Sequence, residues 1–147
     1  KSKYTQSFAK WQGTRTKTRR FLVERLDNTE WKVPSGSKTK VYFNGFQALN
    51  DDYENYEMKY FKKSHEKRMD AGDLGWWEFN KVISRSDNEN KDVTHFTMDV
   101  TLVDNYFQTY PEATEFSDQM MRKHGAASRK RIIGDQLELK FVQFAQN

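Results

Sequence analysis

Residues 93–103 read Val-Thr-His-Phe-Thr-Met-Asp-Val-Thr-Leu-Val. Phe96, Met98, Val100 and Leu102 alternate with His95, Thr97, Asp99 and Thr101, which is the two-residue period of a strand with unlike faces. Immediately before it, residues 87–92 (DNENKD) form a polar turn. Before that turn, Gly75 to Ser84 (GWWEFNKVIS) alternates again and is rich in aromatic and β-branched residues. Two strands joined by a polar loop predict an antiparallel hairpin.

The flanks of this hairpin set the fold class. Upstream, Lys40 to Leu49 (KVYFNGFQAL) reads as a strand, with Gly45 marking a bulge or a close backbone approach. Asn50-Asp51-Asp52 supplies helix caps, and Glu54 stands three residues after Asp51 as in a capping box. Tyr53, Tyr56, Tyr60, Phe61 and His65 recur at three- and four-residue steps, predicting a helix over 51–70 with one aromatic stripe. Ala71-Gly72 is its stop. Downstream, residues 104–135 read as mainly helical, interrupted at Pro111 and broken again at Gly125. Leu137 to Phe144 (LELKFVQF) alternates as a last strand. The order is β-α-β-β-α-β, the split arrangement of an α+β, ferredoxin-like unit with an antiparallel sheet.

Residues 1–30 read as helical and then extended, with a short strand beginning at Phe21. Val33-Pro34-Ser35-Gly36-Ser37 is a loop and divides an N-terminal arm, residues 1–37, from the main domain, residues 38–147. Residues 19–26 (RRFLVERL) echo residues 130–137 (KRIIGDQL), as the tail of a preceding copy of the unit would. Two unrelated basic amphipathic segments would look the same.

Composition bounds the function. The 147 residues suit one core. Mean hydropathy is low, at -1.04. Aromatic residues nevertheless make up 15% of the chain, so its core is built from a few large rings rather than left disordered. No apolar run reaches the roughly 20 residues of a membrane span. With no cysteine, disulfides, thiolate metal sites and a cysteine nucleophile are excluded. The net charge of +4 comes from 25 basic against 21 acidic residues, a mixed surface rather than a nucleic-acid footprint. The start KSKYTQSFAK carries neither an initiator Met nor an apolar signal core, as expected if an upstream segment is removed or the chain is an excised piece.

Residues 60–72 (YFKKSHEKRMDAG), followed by Gly75-Trp76-Trp77, resemble a pattern in uncharacterised bacterial proteins of the dimeric α/β-barrel superfamily. There a helix ends in His-x-x-x-Arg or His-x-x-Arg, turns at Ala-Gly, and opens the next strand with Gly-Trp. His65, Arg68, Ala71, Gly72, Gly75 and Trp76 stand in those positions here, and the resemblance covers roughly residues 38–145. It implies two sheets paired face to face, as a homodimer or within a tandem protein, and an exported, periplasmic location. For activity it implies little, because such proteins include cofactor-free monooxygenases, haem-handling enzymes and lyases.

In that arrangement Phe96, Met98, Val100 and Leu102 are expected under the helices. His95, Thr97, Asp99 and Thr101 then face the cavity or interface, with Trp76, Glu78, Asn80 and Val82 beside them and Asn44 joining from the first strand. His95, Asp99 and Glu78 suit general acid–base catalysis, since a carboxylate can orient an imidazole that titrates near neutrality. Asn44, Trp76, Asn80, Thr97, His65 and Arg68 are candidate ligand contacts. The plainer alternative for the whole group is a wet subunit interface. For His65 it is packing near Trp76, with a cation at the helix C-terminus. The tyrosines read as core and interface. The basic runs Arg15 to Arg20 and Arg122 to Arg131 read as solvated faces, although a polyanion-binding surface uses the same residues. The three histidines show no metal-ligand spacing, and neither metal nor cofactor is expected. The reading is a ligand-binding or assembly module. The alternatives are a cofactor-independent monooxygenase or lyase acting on a small aromatic molecule, and a basic polyanion-binding module.

Overall fold

The computed structural model describes residues 20–104 and 116–132. Five antiparallel strands, β1 (Phe21–Asn28), β2 (Lys40–Ala48), β3 (Leu74–Arg85), β4 (His95–Thr101) and β5 (Arg129–Ile132), form one sheet in the order β1-β3-β4-β2-β5. Two helices connect them: α1 over residues 53–70 and α2, described from Phe116 to Ser128. The result is an α+β domain consistent with a ferredoxin-like type of fold, with β1 added beside β3. The expected last strand at Leu137–Phe144, the Pro111 interruption and most of the first basic run lie outside the described residues.

Each helix contains a π-helical turn, Glu57–Phe61 in α1 and Met121–Gly125 in α2. The turn in α1 rotates the rest of the helix and splits the tyrosine stripe. Tyr53, Phe61 and His65 point inward and are buried, whereas Tyr56 and Tyr60 pack on each other outside, 5.6 Å between ring centroids. The capping box is not formed: Asp52 caps α1 without a side-chain hydrogen bond, and Glu54 reaches Lys81 and His95 instead. The stop at Ala71-Gly72 is as expected, with Gly72 at φ 81° and the Asp73 amide donating to the Arg68 carbonyl at 2.9 Å.

Gly125 does not break α2. It lies within the π-helical turn, where a Cβ would sit 2.8 Å from the Phe61 ring, so its bare backbone lets the helices approach. The helix ends at Ser128, whose hydroxyl donates to the Gly125 carbonyl at 2.6 Å, and Arg129 turns to extended geometry. Residues 129–132, expected to be helical, are therefore strand, paired with Gly45–Ala48 of β2. Gly45 carries no bulge; the register irregularities fall instead in β1, between Leu22 and Val23 and between Arg25 and Asp27, and in β3, between Leu74 and Trp76. There Gly75 passes so close to Val33 that a Cβ would lie 2.4 Å from its Cγ2.

The face assignment of β4 is inverted relative to the sequence expectation. Register pairs Asp99 with Trp77, Thr97 with Phe79, and His95 with Phe46, and side chains directly opposite in an antiparallel pair share a face. Trp77, Phe79 and Phe46, with Tyr53 and Met69 of α1, form the core under the helices. His95, Thr97 and Asp99 are carried in beside them. Burying two large rings of β3 outweighs sending Phe96 and Met98 inward, because apolar burial scales with area. Phe96 and Met98 face the side opposite the two described helices and remain partly exposed. Trp76, Glu78, Asn80 and Val82 share that side, so Asn44, which is opposite Thr97, is separated from them by the sheet.

Candidate functional site

Under α1 the sheet carries a polar centre rather than a purely apolar core. Asp99 of β4 is 2% exposed, and its Oδ2 accepts from Asn44 Nδ2 at 2.7 Å. The same Asn44 amide contacts Thr97 Oγ1 at 3.3 Å, and Asn44 Oδ1 accepts from Arg131 of β5 at 2.8 Å. From α1, His65 stacks on Trp77, and its Nδ1 stands 3.9 Å from Asp99 Oδ1, beyond hydrogen-bonding reach. Thus His65 packs on Trp77 and not on Trp76. Arg68, one turn along α1, is buried beside it.

Glu57, in the π-helical turn, is fully buried, and its Oε2 accepts from Arg129 at 2.6 Å. The Arg129 guanidinium is held between two rings, 3.6 Å from the Phe61 centroid and 4.2 Å from that of Phe46. Tyr53 stands one turn before Glu57 and meets Phe79 and His95 edge-on. Among the buried polar atoms of this interior without a hydrogen-bond partner are Tyr53 Oη, Glu57 Oε1, Trp77 Nε1 and Asp99 Oδ1.

Burial sets the protonation of these groups. The Asp99 carboxyl is pushed up to about 7, first by desolvation and then by the Glu57 charge, against the opposing pull of Arg68 and Asn44. Burial likewise raises Glu57, opposed by Arg129. His65 is pushed down to about 3 by desolvation, with Arg129 and Arg68 adding repulsion. The Tyr53 hydroxyl is driven far above its usual range by burial and by Glu57. Below about pH 7 the Asp99–His65 pair is therefore largely uncharged, the proton resting on the carboxyl and not on the imidazole.

A second group sits where α1 begins. His95 Nε2 is 3.2 Å from Glu54 Oε1, Lys81 Nζ donates to that oxygen at 2.6 Å, and Thr94 Oγ1 lies 2.8 Å from His95 Nδ1. His95 also stacks on Phe79, and desolvation lowers its pKa despite Glu54. The Thr94 hydroxyl already accepts from the Ala48 amide at 2.8 Å.

The structure thus brings Asn44, Thr97, Asp99, His65 and Arg68 together and places His95 on the same face. Glu78 does not join His95 and Asp99. It lies on the side opposite the two described helices, 3.5 Å from Arg25, and its Oε1 accepts from Asn80 at 2.8 Å. Trp76 is there too, donating to the Thr29 carbonyl at 3.1 Å and packing on Trp31. The second basic run divides: Arg129, and Arg131 from an exposed position, bond to the polar centre, while Arg122, Lys123 and Lys130 are exposed.

Sequence reasoning missed Glu57, Tyr53, Arg129 and Glu54 as members of these groups. One signal was present: Glu57 occupies the four-residue spacing of Tyr53, Phe61 and His65, a carboxylate in an otherwise apolar stripe. Among the described residues no cluster of His, Asp and Glu has the makings of a metal site. No protein-family model, curated protein or solved structure matches the chain.

Proposed function

We propose that this chain is an assembly module that pairs with a second copy through the sheet face opposite its two described helices, in the manner of a dimeric α/β barrel. One observation carries the reading: both described helices pack on one side, and the other presents Phe43 in mid-strand, 40% exposed, beside the partly exposed Phe96, Met98 and Trp76. A sheet face of this kind is buried against another layer in stable domains. The residues 29–37 cover only its end near Gly75, through Trp31 and Val33.

Light scattering on the chain at micromolar concentration tests this. The expected result is a dimer that Phe43→Glu converts to monomer with its circular dichroism unchanged. A wild-type monomer would sink the proposal.

A second reading, binding of a small polar molecule at the interior centre, is favoured by the unpartnered polar atoms there. A monooxygenase or lyase built on His95, Asp99 and Glu78 has less support, since Glu78 lies across the sheet from the other two. Polyanion binding would rest on Arg122, Lys123 and Lys130, only part of the basic run from which it was expected.

A further inference from the structure

Where β4 begins, Thr94, His95 and Glu54 stand in a line. Thr94 Oγ1 lies 2.8 Å from His95 Nδ1, and His95 Nε2 lies 3.2 Å from Glu54 Oε1. The bonds themselves fix where the protons sit. Glu54 is held ionised by Lys81, so its oxygen only accepts, and the ring N–H must be on Nε2. Burial keeps the imidazole neutral, with a single N–H, which leaves Nδ1 as an acceptor. The Thr94 hydroxyl is the donor in reach. Its oxygen already accepts from the Ala48 amide at 2.8 Å, and its other acceptor, the Phe46 carbonyl, is farther away at 3.3 Å and already takes the Thr94 amide at 2.8 Å. Hydroxyl, imidazole and carboxylate are therefore joined donor to acceptor in one direction. The line is also held still. The Thr94 backbone is bonded on both sides, to Phe46 of β2 and Val82 of β3, His95 stacks on Phe79, and Lys81 grips Glu54 Oε1 at 2.6 Å.

From this geometry we propose that Thr94 is a nucleophile activated by His95, and that it takes an acyl group from a small reactive ester. A hydroxyl bonded to a neutral imidazole, itself oriented by a carboxylate, is the arrangement that nucleophilic acyl transfer needs. Thr94 Oγ1 attacks the ester carbonyl as its proton passes to His95 Nδ1. The Ala48 amide, aimed at the same oxygen, favours it as it loses that proton. Glu54 acts through His95 as a positioning residue, accepting from Nε2 and steadying the imidazolium. Collapse of the tetrahedral adduct breaks the bond to the alcohol, which leaves with the proton from Nδ1, and the acyl group stays on Thr94. Water, activated by the same base, then releases a carboxylic acid and restores the hydroxyl. Thr94 is half-buried rather than enclosed, which limits the substrate to a small ester. The site uses neither the interior centre around Asp99 nor the sheet face proposed for self-association.

Para-nitrophenyl acetate tests this on the full chain at neutral pH, with acid quenching during the first turnover and mass spectrometry of the peptide that contains Thr94. Wild type is expected to release nitrophenolate faster than Thr94→Val and to carry an acetyl ester on that peptide which hydroxylamine removes. Acetyl groups on surface lysines resist hydroxylamine and are told apart in this way. Thr94→Ser should keep the label. His95→Gln should slow its formation by about a hundredfold, the low end of what a general base contributes. Glu54→Gln should slow it by a smaller factor in wild type, yet change nothing further when combined with Thr94→Val, as members of one unit do. Equal release by wild type and Thr94→Val, or acetyl groups on lysines alone, would overturn the site. Labelling of Thr94 that proceeds at the wild-type rate in His95→Gln would also overturn it, because the hydroxyl would then react unaided.

Discussion

The two faces of the sheet hold their aromatic rings in different ways. Under the helices Trp77 and Phe79 are completely buried, and the same layer encloses Asp99, Glu57, His65 and Arg68. On the opposite face Trp76 leans on Trp31, Phe96 meets Phe21 edge-on, and the charges of Glu78 and Arg25 remain near solvent. Rings on the helix side must pack around polar groups that cannot leave. Rings on the other side are partly exposed, with charged neighbours among them. Neighbouring tryptophans should therefore respond very differently to the same change.

Trp77→Ala should give the largest effect, a loss of about 3–5 kcal/mol in denaturant unfolding, because it opens a cavity in the closed layer. Trp76→Ala, one residue away, should cost about 1 kcal/mol or less. Equal losses would break the contrast between the faces. Arg129→Met should come next, at about 3 kcal/mol, since it retains apolar bulk between Phe46 and Phe61 but leaves Glu57 buried without its cation. Combining it with Glu57→Gln should recover much of that loss, and a double variant as unstable as the single one would put the cost in packing alone.

The pH dependence is the next smaller effect. Asp99, at about 7 in the folded chain, keeps a proton that the unfolded chain releases near its ordinary 3.8. The folded state then binds more protons, so this group lowers stability as pH rises from about 4 to about 7. His65, at about 3, stays neutral while the unfolded chain binds a proton below its ordinary 6.5. It therefore raises stability as pH climbs from about 3 to about 6.5. Glu57 adds to the first trend and His95 to the second. Wild-type stability should accordingly vary little between about pH 4.5 and 6.5. Asp99→Asn should leave a rising profile and His65→Gln a falling one, each by at most about 1.4 kcal/mol per pH unit. Parallel profiles for the two variants would refute opposed titrations. The smallest effect belongs to the open face: Phe43→Glu should change monomer stability by about 0.5 kcal/mol or less, while abolishing self-association.

The strands of the hairpin, the strand from Lys40 and the helix ending at Ala71-Gly72 were legible in the sequence because each carries its own period and stop signal. β5 was not, since Arg129–Ile132 (RKRI) is four residues long and lacks alternation, and becomes a strand by pairing with β2. Of the polar centre, Asn44, Thr97, Asp99, His65 and Arg68 were named from their residue types. Glu57 and Arg129 were passed over because a glutamate on a helix and an arginine in a basic run read as solvated.

What the sequence determined by itself was periodicity: where the chain alternates, where it coils, and how many large rings must be buried. It did not determine which face of β4 is the inside. A two-residue period has two equivalent phases, and both faces of this strand carry groups that a core can accept. The tertiary register made that choice by setting Asp99 opposite Trp77 and Thr97 opposite Phe79. Burying those two rings against α1 is worth more than sparing the polar side chains beside them, so Asp99 and His95 went inside.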